Sequence, residues 1–404
     1  MPLHSFSCRR LHSCKEKVDM NKPISLYIHI PFCVKRCGYC DFLTFAHADK
    51  YHESYKNALV REIRSASKLK KYNIKTIFIG GGTPTILSPS FIAEIFFALS
   101  IYNIDKNCEI TVEANPGTLS LETLRTLKNN GVNRLSIGLQ AWQNNVLKKI
   151  DRNHTREEFL TNYKNARRLG FKNINIDMIF SLPYMKNKEE AFSFWMKGLH
   201  EVTRLKPEHM SLYSLIIEEK TLFYHKYSQG LLVPQTQELD RRMYHFAINY
   251  LAKKGYTHYE ISNFSKPRKE CEHNKVYWQG GEYMAFGLGA AGFIDNVRYS
   301  NERDLLKYIN TLQQVGYKHG NIISEKTEVD KIEAMGEFFY LGLRCTNGVL
   351  LWDFEEKFGV SAKVIFGDVI DKNIKNGLLI EEKNSIKLTK KGLDISNQVF
   401  SDFI

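Results

Sequence analysis

The 404-residue chain is 43% hydrophobic, enough for a large core and in keeping with one large domain plus a smaller one. No apolar run reaches the ~20 residues that a membrane-spanning helix needs, so a soluble, cytoplasmic protein is expected. The formal net charge of +13 reads first as a solvated basic surface and second as attraction for an anionic partner; no nucleic acid is expected.

Residues 1–19 are expected to be a disordered extension, since they lack periodicity and a second methionine, Met20, precedes the first convincing strand. Glu16 and Asp19 argue against a transit peptide. From residue 24, strand-like stretches alternate with helical ones. ISLYIHI (24–30) is followed at once by a cysteine-rich loop and a helical pattern over 51–71. IKTIFI (74–79) ends in Gly80-Gly81-Gly82-Thr83-Pro84, and Ser88 is placed to cap the next helix, to about Tyr102. CEITVE (108–113), RLSIGL (134–139), NINIDMIF (173–180) and HMSLYSLII (209–217) are the remaining strands, with helices between them. Six strand–helix units in series predict a parallel sheet with right-handed crossovers, here an incomplete (βα)6 TIM-like barrel. Barrel chemistry sits at the C-terminal ends of strands, where the cysteine loop, the glycine triplet, Glu113, Gln140 and Asp177 all fall. This α/β barrel is expected over 20–235. A connecting region with a Gly-rich run from Gly280 to Gly292 is expected over 236–300, and a smaller, mostly helical domain over 301–404. Two short helices in 350–376, a hairpin after Gly377 and a last helix suggest a winged-helix-like arrangement.

Eight cysteines are scattered through the chain except for Cys33, Cys37 and Cys40, which fall within eight residues. Three thiolates in one loop suit iron, and a 4Fe-4S cluster held by three cysteines leaves one iron open to an outside ligand. The amino and carboxylate groups of S-adenosylmethionine can fill that position. A zinc ion with His29 or His47 as fourth ligand is the alternative, although zinc spacings usually come as two separated pairs. A reduced cluster can pass one electron to the bound sulfonium, and the protein's part is to hold that group close and exclude water. Gly80 to Gly82 allow close backbone approach. Glu113 can accept from ribose hydroxyls, Gln140 and Arg152 can hold polar groups, and Asp177 can take an adenosine or ribose donor.

HIPFCVKRCGYCDF (29–42), GGGTPT (80–85), EANPG (113–117), NRLSIGLQ (133–140) and NINIDMIFSLP (173–183) resemble radical-SAM proteins of the coproporphyrinogen-dehydrogenase superfamily. YEISNF (259–264) and CEHNKVYW (271–278) resemble the haem-chaperone branch of that superfamily, and the resemblance runs from about residue 24 to the C-terminus. In the oxygen-independent coproporphyrinogen III dehydrogenase branch another cysteine stands two residues after the third; here that place is Phe42. That branch also lacks the HNxxYW motif, present here from His273 to Trp278. The resemblance implies an S-adenosylmethionine site made by Tyr27, Tyr39, Gly81, Gly82, Thr83, Glu113, Gln140, Arg152 and Asp177. It implies haem bound through His273, with Cys271 as another possible contact. Haem would pass to acceptor proteins such as respiratory cytochromes, and the expected assembly is a monomer or dimer. Oxidative decarboxylation of coproporphyrinogen III is the enzymatic alternative.

Overall fold

The computed structural model describes residues 22–183, 187–317 and 320–404, so the expected extension over 1–19 lies outside the described residues. The six anticipated strands are β1 (Lys22–Ile30), β2 (Tyr72–Gly81), β3 (Ile104–Ala114), β4 (Arg134–Gln140), β5 (Ile174–Phe180) and β6 (His209–Ser214). They lie in that order, each parallel to the next. The helices between them are α1 (His52–Ser65), α2 (Pro89–Leu99), α3 (Leu121–Asn129), α4 (Arg156–Arg168) and α5 (Lys188–Arg204), and α6 (Gln237–Lys253) follows β6. Their starts are written locally. Ser88, Ser120, Thr155 and Thr236 each accept a first-turn backbone N–H, and Thr155 with Glu158 completes a capping box.

Alternation along each strand separates core from site. Leu26, Ile28, Ile77, Ile79, Ile110, Val112, Leu135, Ile137, Ile174, Ile176, Met210 and Leu212 are all buried in one apolar core. The opposite face carries polar side chains that bond to one another across strands. Asn175 Nδ2 donates to Ser136 Oγ at 2.8 Å, Ser136 Oγ donates to Asp177 at 3.0 Å, and Asn175 Oδ1 lies 2.6 Å from His209 Nδ1. A hollow lined by polar groups therefore runs along the inside of the curved sheet.

The sheet is larger than the sequence suggests. β7 (Thr257–Glu260) and β8 (Asn263–Ser265) extend it beyond β6. After α7 (Glu272–Trp278), four more strands, β9 (Tyr283–Phe286), β10 (Ala291–Ile294), β11 (Val297–Asn301) and β12 (Ile323–Glu328), extend it on the far side of β1. From about residue 300 helices prevail as expected, with β12 as an added strand of the large sheet. Glycines hide the strand pattern around β10. A Cβ on Gly292 would lie 2.3 Å from the Tyr299 ring, whose hydroxyl accepts from Ala285 N–H at 3.0 Å.

A second apolar core, including Met335, Phe339, Phe354, Ile370, Ile386 and Phe403, forms in the last part of the chain. It gathers α8 (Leu305–Gln313) to α11 only in part: α9 (Lys331–Gly342), α10 (Leu351–Phe358) and α11 (Ala362–Lys375) contribute, α8 packing on the first core instead. The hairpin expected after Gly377 is β14 (Leu379–Glu382) with β15 (Ser385–Leu388), and β13 (Val349–Leu350) pairs on the other side of β15. This module is tied to the sheet where Ile261 N–H donates to Arg344 O at 3.1 Å and Thr346 N–H to Tyr259 O at 3.1 Å. Among the described residues no helix is long and apolar enough to cross a membrane.

Candidate cofactor site

Cys33, Cys37, Tyr39, Cys40, Gly81, Gly82, Glu113, Gln140, Arg152 and Asp177 line one open cavity of about 380 Å³ at the C-terminal rim of the parallel strands. That lies within the ~300–1000 Å³ usual for a small-molecule pocket. The loop after β1 is braced on both sides. Phe223 N–H donates to Gly38 O at 2.8 Å, and Phe45 N–H donates to Pro31 O at 2.7 Å. Within the loop, Cys40 N–H donates to Cys37 O at 3.2 Å.

Two of the thiols belong to a polar chain that the sequence does not announce. Cys33 Sγ lies 3.4 Å from Thr83 Oγ1, and Asn115 Nδ2 donates to that oxygen at 2.6 Å. Arg152 donates to Asn115 Oδ1 at 2.5 Å, to Gly138 O at 2.7 Å and to Cys37 Sγ at 3.4 Å. Thr83 and Arg152, grouped with S-adenosylmethionine by the resemblance, are thus found against sulfur. Burial pushes the Cys33 thiol up, with Thr83 opposing, and raises Cys40 to about 11. His29, the alternative zinc ligand, has both ring nitrogens engaged. Nε2 donates to Leu43 O at 3.0 Å, which leaves Nδ1 to accept from Tyr27 OH at 2.9 Å. Tyr27 therefore stands behind the rim as a brace for His29.

Deeper in the cavity, Glu113 accepts from Gly81 N–H at 2.9 Å. Burial, together with the Asp177 carboxylate, pushes Glu113 up to about 7. Burial also raises Asp177, against bonds from Ser211, Asn175 and Ser136. Gly81 has φ of +107°, and a Cβ there would lie 2.3 Å from the His29 ring, so the glycine is required both by its backbone and by its neighbour. Gln140 also takes a left-handed φ of +68°, at a register shift between β4 and β5. Arg134, Ser136, Asn175 and Ser211 line the cavity as well. Sequence reasoning missed them, although their period-two spacing with Gly138, Asp177 and Tyr213 was the available signal. Arg134 Nε and Arg152 Nε are buried without a protein partner. Unpaired donors, buried carboxyls and three thiols at one mouth suit a cofactor carrying ammonium, carboxylate and hydroxyl groups.

His273 lies elsewhere. It is buried on α7, stacked on Phe78 with ring centroids 5.2 Å apart. Nδ1 donates to Thr76 Oγ1 at 2.7 Å, because that hydroxyl already donates to Ser25, and Nε2 accepts from Tyr277 OH at 2.8 Å. Burial, aided by the Arg134 charge, lowers the imidazole to about 3 and keeps it neutral. Cys271 is fully buried, its thiol pushed up to about 12 by burial.

A three-cysteine loop at the open rim of a six-stranded parallel half-barrel defines a radical-SAM protein. The Radical SAM superfamily pattern matches residues 27–194, and the HemN C-terminal domain pattern matches residues 329–395. Superfamily membership brings a 4Fe-4S cluster and S-adenosylmethionine as cofactors. The chain is 35% identical over 386 residues to the haem chaperone HemW of Lactococcus lactis, covering 95% of this chain and 98% of that one. It is 37% identical over 383 residues to the haem chaperone HemW of Bacillus subtilis, covering 94% and 99%. The chain belongs to the HemW family. The structure of coproporphyrinogen III oxidase (HemN) from Escherichia coli superposes with a TM-score of 0.82 at 22% identity, over 96% of this chain and 91% of that one; this likeness establishes the shared fold.

Proposed function

We propose that this chain is a haem carrier that holds a 4Fe-4S cluster through Cys33, Cys37 and Cys40 together with S-adenosylmethionine, and that hands haem to acceptor proteins such as respiratory cytochromes. The observation that carries the reading is end-to-end similarity to proteins named haem chaperones. When bound, the cluster supplies a single electron to the cofactor's sulfonium. The protein's own residues hold and shield. Arg152 places positive charge on Cys37, Thr83 bonds toward Cys33, and Glu113 and Asp177 offer acceptors at the depth of a sugar. Gly81 and Gly82 leave backbone exposed to the cofactor, and Tyr39 and Gln140 complete the wall. The engaged nitrogens of His29 speak against it, of the two histidines, as a zinc ligand.

Haem contact is assigned to the Cys271–Trp278 segment. His273 would be the residue that holds the iron if the Tyr277 hydroxyl turned off Nε2, since its neutral state keeps that lone pair available. The enzymatic alternative is disfavoured by Phe42, which is 62% exposed at the cavity mouth where that branch carries another sulfur.

The test is anaerobic reconstitution, followed by haem titration and by transfer to an apo-cytochrome. Brown, iron-loaded protein that binds haem and loads the acceptor supports the carrier. Colourless or zinc-loaded protein overturns the cluster assignment. Conversion of coproporphyrinogen III to protoporphyrinogen overturns the carrier in favour of the enzyme.

A further inference from the structure

A second cleft opens between the sheet and the C-terminal module, and no step of the radical-SAM site uses it. Its volume is about 680 Å³, and it shares Tyr213, Ser214, Ile216 and Asn274 with the wall of the cysteine cavity. Glu260 to Asn263 of the YEISNF stretch line it, as do Asn274 and Trp278 of the HNxxYW stretch. Both stretches thus turn side chains into one space, whereas His273 faces β2.

The cleft combines apolar walls with one cation that forms no ion pair among the described residues, its charge felt by the buried Glu260 carboxyl. Ile216, Ile261, Leu393, Ile395, Tyr244 and Trp278 supply the apolar surface, and Ile216 is 65% exposed. Of its two arginines, Arg241 is neutralised: it donates to Asp240 and lies 3.7 Å from Asp394, which also pairs with His245 at 2.9 Å. Arg344 is different. Its guanidinium lies 4.5 Å above the Trp278 ring, its Nε is buried without a hydrogen-bond partner, and among the described residues no carboxylate forms an ion pair with it. Trp278 Nε1 and Glu260 Oε1 are likewise buried without partners on this wall. A planar cation on an indole face, beside aliphatic walls, matches a flat apolar ligand that carries a carboxylate at its edge.

We infer that this cleft is the haem-docking site, with Arg344 clamping a propionate and Trp278 and Ile216 covering the macrocycle. The inference rests on the haem-carrier reading but not on which residue ligates the iron. The shared wall then sets haem directly beside the cluster cavity.

The experiment titrates haem and haem dimethyl ester into wild type, Arg344→Ala, Arg344→Lys and Ile216→Glu, each reconstituted and checked for wild-type iron content. Arg344→Ala is expected to weaken haem roughly tenfold or more, the size of a lost charge-assisted bond. Arg344→Lys should recover part of that loss, and the ester should bind wild type and Arg344→Ala alike. Ile216→Glu changes an exposed residue, leaves the fold intact and should weaken both ligands. If wild type binds haem and all three variants bind it equally, the cleft is not the site while the carrier reading stands. If wild type binds no haem, the carrier reading itself fails.

Discussion

Replacing Arg152 with Met tests whether this residue is the cluster's counter-charge. The guanidinium is 3.4 Å from Cys37 Sγ; at an effective dielectric of ~20 a unit pair at that separation is worth about 5 kcal/mol. That is an upper bound, because a cluster spreads its charge and the guanidinium also bonds two neutral acceptors, Asn115 Oδ1 and Gly138 O. The net worth of a hydrogen bond to a charged group, roughly 1.5–3 kcal/mol, is the better figure. It corresponds to about 10- to 100-fold weaker cluster retention. The assay is iron and sulfide content, with visible absorbance, during challenge by a chelator under anaerobic conditions. Thermal melts of the cluster-free proteins serve as the control, since the Met side chain leaves two acceptors unpaired and carries its own modest cost. Chelator resistance equal to wild type would refute the argument and return Arg152 to contacts with S-adenosylmethionine alone.

Glu62 is fully buried, accepting from Gly287 N–H, Asn301 and Tyr308, and burial pushes it up to about 7. Its contribution to stability is therefore complete below the ordinary carboxyl range and is lost as pH rises through about 7, by roughly 3 kcal/mol. Urea unfolding should show wild type losing stability between about pH 4.5 and pH 7, and Glu62→Gln should flatten that slope; identical slopes sink the assignment. Gly81→Ala should lower S-adenosylmethionine affinity and cost ~1–3 kcal/mol of stability through its positive φ and the His29 clash, read by thermal melts and equilibrium binding. His273→Ala should change the absorption bands of bound haem, and Tyr277→Phe should strengthen binding by freeing Nε2. Unchanged spectra in the former remove His273 from the haem site.

The six parallel strands were legible because they alternate an apolar core face with a mostly polar inner face, and serine or threonine caps mark several of the helix starts between them. The candidate site was legible as a set of residue types at strand ends. Its wiring was not. Thr83 and Arg152 carry no sequence signal for bonding to sulfur, because Asn115, the residue that joins them, reads only as part of an Asn-Pro-Gly turn. The direction of His273 was equally hidden. On a seven-residue helix, positions 273 and 277 share a face and 274 and 278 share another, and only packing against Thr76 and Phe78 decides which pair turns to β2. Strands β9 and β10 escaped notice because Gly287 and Gly289 between them, and Gly292 within β10, break the pattern where Tyr55, Leu43 and Tyr299 approach.

The inner face of the sheet is costly to fold. Glu113 and Asp177 are carboxyls raised by burial, Arg134 is buried with an unpartnered Nε, and Asn175 and His209 add a buried side-chain bond to the backbone pairing of their strands. Apolar residues of similar volume in such positions are often neutral or stabilising. The same strands show that this sequence packs isoleucine, leucine and valine well, since their other faces are built from little else. A polar lining maintained across six consecutive strands, ending at three thiols and glycine-bared backbone, is therefore not explained by stability. It is explained by ligands whose polar atoms complete the unpaired groups, which is the arrangement expected where local folding rules give way to function. The carrier reading draws on that same cost: a protein that kept the fold but had abandoned its cofactors would have no physical reason to keep Glu113, Arg134 and Asp177 facing one another in the dark of a barrel.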